Sequence, residues 1–466
     1  IEVADWFATV DDALNVLEGV FSHHGGPRVG RPSLPVPFDR QISSHEGTDA
    51  ISEASAVVEA LKAAFPTAFA VGGPPLPSNP GFLHLLIGLV MQADWMASTL
   101  PLEGQPGFSL DGDGFGTSGR LRESTVIASG ILAGCGFHDG LASRTPLDPV
   151  LVVPGGKLRP VQEQVRTIPL SSHIVGIEAP TGEGKTEAAV LRFLALHEVG
   201  LVDGMYFAVP TRSAGVSLHL RIGELVKKHF PEAPPVVLAV PGALPMRAQD
   251  KKDDGIDAGQ RPWSSERGRF MASGVAVGTV DQALLSGLRV HGAHQRAFAM
   301  SRTLLVVDEV HACDAHMVTV LGNVVRRHIS TGGHVVILSA TFGASGLSAL
   351  GYRTVGLDEA RSRPYPCIWH GDSPANLEWT SFEADSTRRR RITFRKLDEA
   401  SAVASVAKAV AAGARVLVIL STVRDAIRFQ EALERSNVPT MALASSDGEA
   451  AGVMHHGRYA VSDRAM

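Results

Sequence analysis

The segment Ala179-Pro180-Thr181-Gly182-Glu183-Gly184-Lys185-Thr186 has the residue types and spacing to hold a polyphosphate. Gly182 and Gly184 let the backbone curl so that successive N–H groups converge on phosphate oxygens. Lys185 reaches toward the β and γ phosphates, and the Thr186 hydroxyl joins the oxygen shell of a Mg²⁺ ion. A helix opening near Thr186 adds the positive end of its dipole. Thr181, Gly182, Glu183 and Gly184 are therefore expected to contact nucleotide together with Lys185 and Thr186. ATP and Mg²⁺ are the cofactors expected there.

A second cluster supplies the acid–base chemistry. The apolar run Leu304-Leu305-Val306-Val307 delivers Asp308-Glu309-Val310-His311 at its end. A buried strand of the same sheet as the phosphate loop brings such carboxylates to the nucleotide. Asp308 is suited to holding Mg²⁺ through water, and Glu309 to orienting and deprotonating the attacking water. With Lys185 these form the expected catalytic set. His311 is placed to sense the γ-phosphate. Ser339-Ala340-Thr341 follows the next apolar run, where the Ser339 and Thr341 hydroxyls can bond the acidic motif and relay nucleotide state. Arg159-Pro160-x-Gln162 precedes the first strand, and Gln162, with Arg159 beside it, is expected to read the adenine edge. Pro210-Thr211-Arg212 and Gly278-Thr279-Val280-Asp281-Gln282 also follow strands, positions suited to the phosphates of a single strand.

These residues need a sheet to position them. Strands are expected at Ile174–Glu178, Met205–Val209, Val275–Gly278, Leu304–Val307 and Val335–Leu338. Continuous β-branched runs alternating with helical stretches imply an α/β domain with a parallel sheet, placed at 159–351. Residues 1–137 read instead as mostly helical, with helices near Asp11–Phe21, Ser52–Phe65 and Leu83–Leu100. Residues 138–158 read as a linker. From 363 to 466 a helix (Ser401–Ala412), a strand (Arg415–Leu420) and a helix (Asp425–Arg435) look like the opening of a second α/β domain.

Composition narrows the class further. The 466 residues carry 44% hydrophobic side chains and a formal net charge of −5, so the chain is globular and has no overall basic field. A nucleic acid would have to meet a local basic channel. The 3 cysteines lack Cys-x-x-Cys spacing, which argues against a disulfide framework or cysteine zinc site and for a reduced, cytoplasmic setting. No apolar run reaches the ~18 residues of a spanning helix, so no membrane partner is expected. The short run Arg388–Arg391 reads as a solvated strand edge, with a role against DNA phosphate as the alternative.

The whole motif order resembles superfamily 2 helicases, which commonly carry Ala where Ala179 stands. Val277-Gly278-Thr279-Val280-Asp281-Gln282 together with Asp308-Glu309-Val310-His311-Ala312 resembles the CRISPR-associated helicase-nuclease family of type I systems. Ser22-His23-His24-Gly25-Gly26 resembles that family's paired-histidine metal motif, and Ala93-Asp94-Trp95-Met96-Ala97-Ser98 its late aspartate motif. Met454-His455-His456-Gly457-Arg458-Tyr459, with Asp463-Arg464, resembles its His-x-Arg-Phe…Asp-Arg motif. The resemblance implies an all-α HD-type metal nuclease domain in 1–137, followed by two RecA-like domains, the second incomplete.

It implies a nuclease site at His23, His24 and Asp94 holding a divalent transition metal (Fe, Mn, Co or Ni). The implied partners are displaced single-stranded DNA, drawn 3′ to 5′, and an RNA-guided CRISPR surveillance complex, in a prokaryotic cytoplasm. His138-Asp139 follows the Asp94 motif in a Gly-flanked loop and reads as linker, not as the pair that names the domain. His45 and His84 read as ordinary loop and helix histidines.

The chain begins at Ile1 and stops at Met466 in what reads as a helix, so part of a longer protein is expected. The family's earlier histidine ligands and its arginine finger have no match here. The piece by itself is expected to be impaired as an ATPase. A translocase without nuclease action and a non-catalytic nucleic-acid module are the alternatives; intact Lys185, Thr186, Asp308 and Glu309 argue against the latter.

Overall fold

The computed structural model describes residues 6–21, 55, 58–59, 61–63, 65–70, 73–97, 125–130, 132, 152–153, 156–230, 235–240, 274–290, 292–383, 393–438, 442–444 and 450–452. The chain divides into two compact units, Ile1–Thr387 and Arg388–Met466. The His23-His24 pair, the 454–464 motif, His45 and His138-Asp139 lie outside the described residues.

The first unit is built on an 8-stranded sheet in the order β3-β4-β2-β5-β6-β1-β7-β8. Its strands are β1 Ile174–Glu178, β2 Gly204–Val209, β3 Val237–Ala239, β4 Val275–Thr279, β5 Thr303–Val307, β6 His334–Ser339, β7 Cys367–Ser373 and β8 Asn376–Ser381. Strands β1 to β6 pair in parallel, and the β7–β8 hairpin joins β1 antiparallel.

The apolar runs are continuous because both faces are buried. Successive side chains alternate sides, so Met205, Phe207, Leu304 and Val306 enter one core while Tyr206, Ala208, Leu305 and Val307 enter the other. Helices Pro160–Arg166, Lys185–Glu198 and Arg212–His229 supply the first core. Helices Val280–Leu284, Ala315–Ser330 and Gly343–Leu350 supply the second.

The expected strands form within a residue or so of their predicted ends. Two additions were not anticipated: the three-residue edge strand β3, and the β7–β8 hairpin. The hairpin lies inside the span 363–466 expected for a second α/β domain, yet it extends the first sheet, and the division falls at Thr387/Arg388. Polar residues such as His370, Asp372 and Glu378 hide the hairpin from an apolar-run reading.

Ahead of the sheet, helices Val10–Phe21 and Pro80–Ala97 lie in the same unit. Pro80–Ala97 packs on Ala293–Met300 across Gly88, whose missing side chain admits the His294 carbonyl. Gln295 Nε2 donates to Gln92 Oε1 at 2.8 Å, with both residues buried. His84 meets His294, and Arg327 donates to His84 Nε2 at 2.9 Å and to Ser286 O at 2.6 Å. Burial first, then the Arg327 charge, keeps His84 neutral down to about 3. His84 is thus a helix-packing residue, as its sequence context suggested. Among the described residues, no helix is long and apolar enough to cross a membrane.

In the second unit, Glu399–Ala411 and Val423–Arg435 pack through Val403, Phe429, Leu433 and Val438. Asp398 and Thr422 cap these helices through side-chain acceptors. A short antiparallel pair joins Ala442–Ala444 to Ala450–Gly452. The strand expected at Arg415–Leu420 does not form a ladder; Leu417 and Ile419 are each 83% exposed. A strand exists by pairing, and among the described residues no neighbouring strand receives this one.

Candidate functional site

The site sits at the C-terminal ends of β1, β5 and β6, the strand ends where an open α/β sheet binds ligands. β1 ends at Glu178, and the loop 179–184 turns into the helix beginning at Lys185. Gly182 and Gly184 hold φ of 90° and 91°, a conformation that side chains resist. The loop is braced from behind. Arg159 donates its guanidinium to the Gly182 carbonyl. Gln162 Oε1 accepts from the Arg159 backbone N–H at 2.9 Å, and Gln162 Nε2 donates to Gly184 O at 3.3 Å.

Gln162 is 1% exposed. The expectation that it reads adenine therefore meets a carboxamide already bonded at both ends. In this structure Gln162 and Arg159 shape the phosphate loop, and reading a base would require Gln162 to exchange those partners.

Lys185 is buried, and its Nζ donates to Ala179 O at 2.7 Å and Pro180 O at 3.3 Å. The ammonium is held at the mouth of the loop by carbonyls that a phosphate can displace. Two residues on, buried Glu187 ion-pairs with Arg221 of the adjacent helix, a contact the sequence did not suggest. Burial lowers the Arg221 pKa; Arg159 lowers it further, and Asp308 opposes the shift. These opposing charges put Arg221 in the electrostatic neighbourhood of the nucleotide site.

Across the loop, Asp308 follows β5 and its N–H donates to Ala208 O at 2.8 Å. Burial, then repulsion from Glu309, raises the Asp308 pKa from 3.8 to about 6. Glu309 sits in the left-handed region with φ 51°, an uncommon setting for a side-chain-bearing residue that recurs at functional sites. Glu309 Oε2 is buried and accepts no hydrogen bond; His311 Nδ1 lies 3.2 Å away. The same Nδ1 lies 3.2 Å from Ser339 Oγ. Ser339 Oγ donates to Thr341 O at 2.8 Å, leaving it to accept from His311 and from the Thr341 N–H at 3.2 Å. The Ser339 carbonyl in turn accepts from the Ala179 N–H at 3.2 Å. A hydrogen-bonded chain thus runs from His311 through Ser339 to the start of the phosphate loop, with Glu309 in contact with its His311 end.

This donor set fits a hydrated divalent cation with a polyphosphate. Asp308 is disfavoured as an anion by burial beside Glu309, and Glu309 carries an oxygen with no donor; a cation answers both. Thr186 and Asp308 would hold it. The nuclease site is different. Asp94 lies partly buried on Pro80–Ala97, while His23 and His24 fall outside the described residues. Among the described residues no group of three or more His, Cys, Asp or Glu can hold a metal.

The loop makes one strong requirement. A Cβ at Gly184 would run into the Gln162 carboxamide and come within 3.4 Å of Arg159 Cδ, at a φ that costs an L-residue about 1–2 kcal/mol. Gly184→Ala is expected to weaken nucleotide binding roughly tenfold, read by titration with a fluorescent ATP analogue. Unchanged affinity would show that the brace is dispensable.

Comparison with known proteins agrees with this geometry. The family model for the DEAD/DEAH box helicase matches residues 159–349, and that for the Cas3 HD domain matches residues 2–101. The CRISPR-associated endonuclease/helicase Cas3 of Escherichia coli (strain K12) is 32% identical over 199 residues, 40% of this chain and 22% of that protein. The crystal structure of T. fusca Cas3-AMPPNP superposes with TM-score 0.67 at 23% identity, covering 94% of this chain and 53% of that one. A chain of a CRISPR RNA-guided surveillance complex, pre-nicking, gives TM-score 0.58 at 22% identity, covering 92% and 48%. At these identities the solved structures speak for the fold, and this chain spans about half of theirs.

The sheet, its phosphate loop and its acidic strand end are those of a DEAD/DEAH box helicase domain. It follows in sequence a segment that matches the Cas3 HD domain, and this order of HD domain and helicase domain, with the curated relatives matched, makes the chain similar to CRISPR-associated Cas3 proteins.

Proposed function

We propose that the protein hydrolyses ATP to draw single-stranded DNA through its helicase domains and cuts that DNA at a divalent-metal site in the HD domain, in defence against foreign DNA. The observation that carries the ATPase reading is the chain linking Glu309, His311, Ser339 and the Ala179 amide behind Lys185. The relative from E. coli is named an endonuclease/helicase, which supports extending the reading to both activities. Likeness to a chain of the surveillance complex supports an RNA-guided complex as the recruiting partner. The setting proposed is the prokaryotic cytoplasm.

In this reading the loop N–H groups and Lys185 bind the β and γ phosphates, Lys185 leaving its carbonyl partners to do so. Glu309 takes a proton from the attacking water as the bond from the γ-phosphorus to the β–γ bridging oxygen breaks, giving ADP and phosphate. Bound Mg²⁺, held by Thr186 and Asp308, supplies charge neutralisation of those phosphates. His311 and Ser339 pass the presence or loss of the γ-phosphate to the loop's first amide. On the HD side, Asp94 with His23 and His24 would hold one or two transition-metal ions.

The testing experiment is metal-dependent degradation of single-stranded DNA by the complete protein, with and without ATP, beside Asp94→Ala. Asp94→Ala is expected to lower cutting at least tenfold and leave DNA-stimulated ATP hydrolysis within about twofold of wild type. Loss of both activities would make Asp94 structural. No cutting with any metal, with ATP hydrolysis intact, would mark a translocase without nuclease action.

A further inference from the structure

Glu178 closes β1 one residue before the phosphate loop, and no reading of the motifs gives it a role. Its carboxylate accepts two hydrogen bonds: Oε2 from the Phe342 backbone N–H at 2.9 Å, and Oε1 from the Trp369 indole N–H at 2.9 Å. Phe342 directly follows Ser339-Ala340-Thr341. Trp369 is fully buried on β7, opposite Gly176 of β1, whose missing side chain makes room for the indole. The Phe342 ring stacks on that indole with centroids 5.9 Å apart and planes inclined by 24°.

One carboxylate thus joins the strand that carries the phosphate loop, the segment after Ser339, and the hairpin that ends the sheet. Both partners are N–H donors, so the position calls for two acceptor oxygens. An ionised carboxylate offers them; an amide would turn an NH₂ group toward one donor.

We infer that Glu178 is a positioning residue that pins the Ser339-Ala340-Thr341 segment against the phosphate loop, so that the nucleotide-sensing chain stays in register during turnover. The inference rests on the ATPase reading above. Glu178 touches neither nucleotide nor water in it; the pin acts through Phe342 on Ser339 and so affects turnover more than nucleotide binding.

The test is steady-state ATP hydrolysis by the complete protein with single-stranded DNA, for wild type, Glu178→Gln, Trp369→Phe, the Glu178→Gln/Trp369→Phe pair and Lys185→Ala. Glu178→Gln is expected to lower kcat roughly tenfold, as for loss of one hydrogen bond to a charged acceptor, and to shift KM for ATP by less than about twofold. Trp369→Phe keeps an aromatic ring and removes the competing donor. In the double variant the amide oxygen can serve Phe342 while its NH₂ faces no donor, so kcat returns to the Trp369→Phe value. Wild-type kcat in Glu178→Gln, or a double variant no faster than Glu178→Gln, would overturn the inference; so would a lowered melting temperature in Glu178→Gln with kcat unchanged. If wild type shows no DNA-stimulated hydrolysis, or Lys185→Ala matches it, the ATPase reading falls and this inference with it.

Discussion

Glu309→Gln is expected to lower ATP hydrolysis roughly a thousandfold while leaving nucleotide affinity near that of wild type, the scale for removing a general base without altering shape. The substitution is nearly isosteric. The amide can keep the contact to His311 Nδ1, which lies 3.2 Å from Oε2, so the chain to Ser339 need not collapse. What it cannot do is take a proton from water. The backbone at Glu309 holds φ 51°, a conformation set by the turn after β5 rather than by the carboxylate, so the altered side chain is delivered to the same place. The measurement pairs kcat with DNA present against the dissociation constant of a non-hydrolysable ATP analogue. Hydrolysis within tenfold of wild type would remove Glu309 from the base role. Parallel loss of hydrolysis and binding would instead make it a structural support of the loop.

Much of this site could be read directly from residue order. The strands β1, β2, β4, β5 and β6 announce themselves as apolar runs because both of their faces are covered, and the phosphate loop and Asp308-Glu309 stand at their ends. What escaped depends on side chains that meet only in three dimensions. Gln162 was legible as a nucleotide-side residue, but its bonds to Arg159 and Gly184 arise from the way helix Pro160–Arg166 packs behind the loop. Glu187 and Arg221 stand on different helices, and Glu178 and Trp369 on strands far apart in sequence; neither pairing has a local pattern. The hairpin Cys367–Ser381 escaped for the opposite reason. Its outer strand is half solvated, so polar residues interrupt the run that marked the other strands. At Arg415–Leu420 the apolar pattern is present without a ladder, because pattern fixes which residues want burial and pairing fixes whether a strand forms.

Asp308→Asn tests a different consequence of the same site: removal of the charge proposed to hold Mg²⁺ should abolish turnover and stabilise the nucleotide-free protein. Burial and the neighbouring Glu309 lift the Asp308 pKa from 3.8 to about 6, so the ionised form is the one folding disfavours. Between those two values the folded protein holds a proton that the unfolded chain has released. The contribution of Asp308 to stability is therefore most favourable below about pH 4 and is lost as pH rises through about 6. At pH 7 the charge costs about 3 kcal/mol, an order-of-magnitude figure from the size of the shift. Asparagine keeps the shape without the charge, so thermal or denaturant unfolding at pH 7 without nucleotide should show a gain of about that size, shrinking toward pH 4. Adding Mg²⁺ and an ATP analogue should reverse the ranking, because a ligand that needs the carboxylate stabilises wild type and not the variant. A variant less stable than wild type at pH 7, or one that gains as much from Mg²⁺-nucleotide, would mean that Asp308 is held by the fold and not reserved for a cation. The burial and the Glu309 charge that make an ionised Asp308 costly are what a divalent cation at this position would offset.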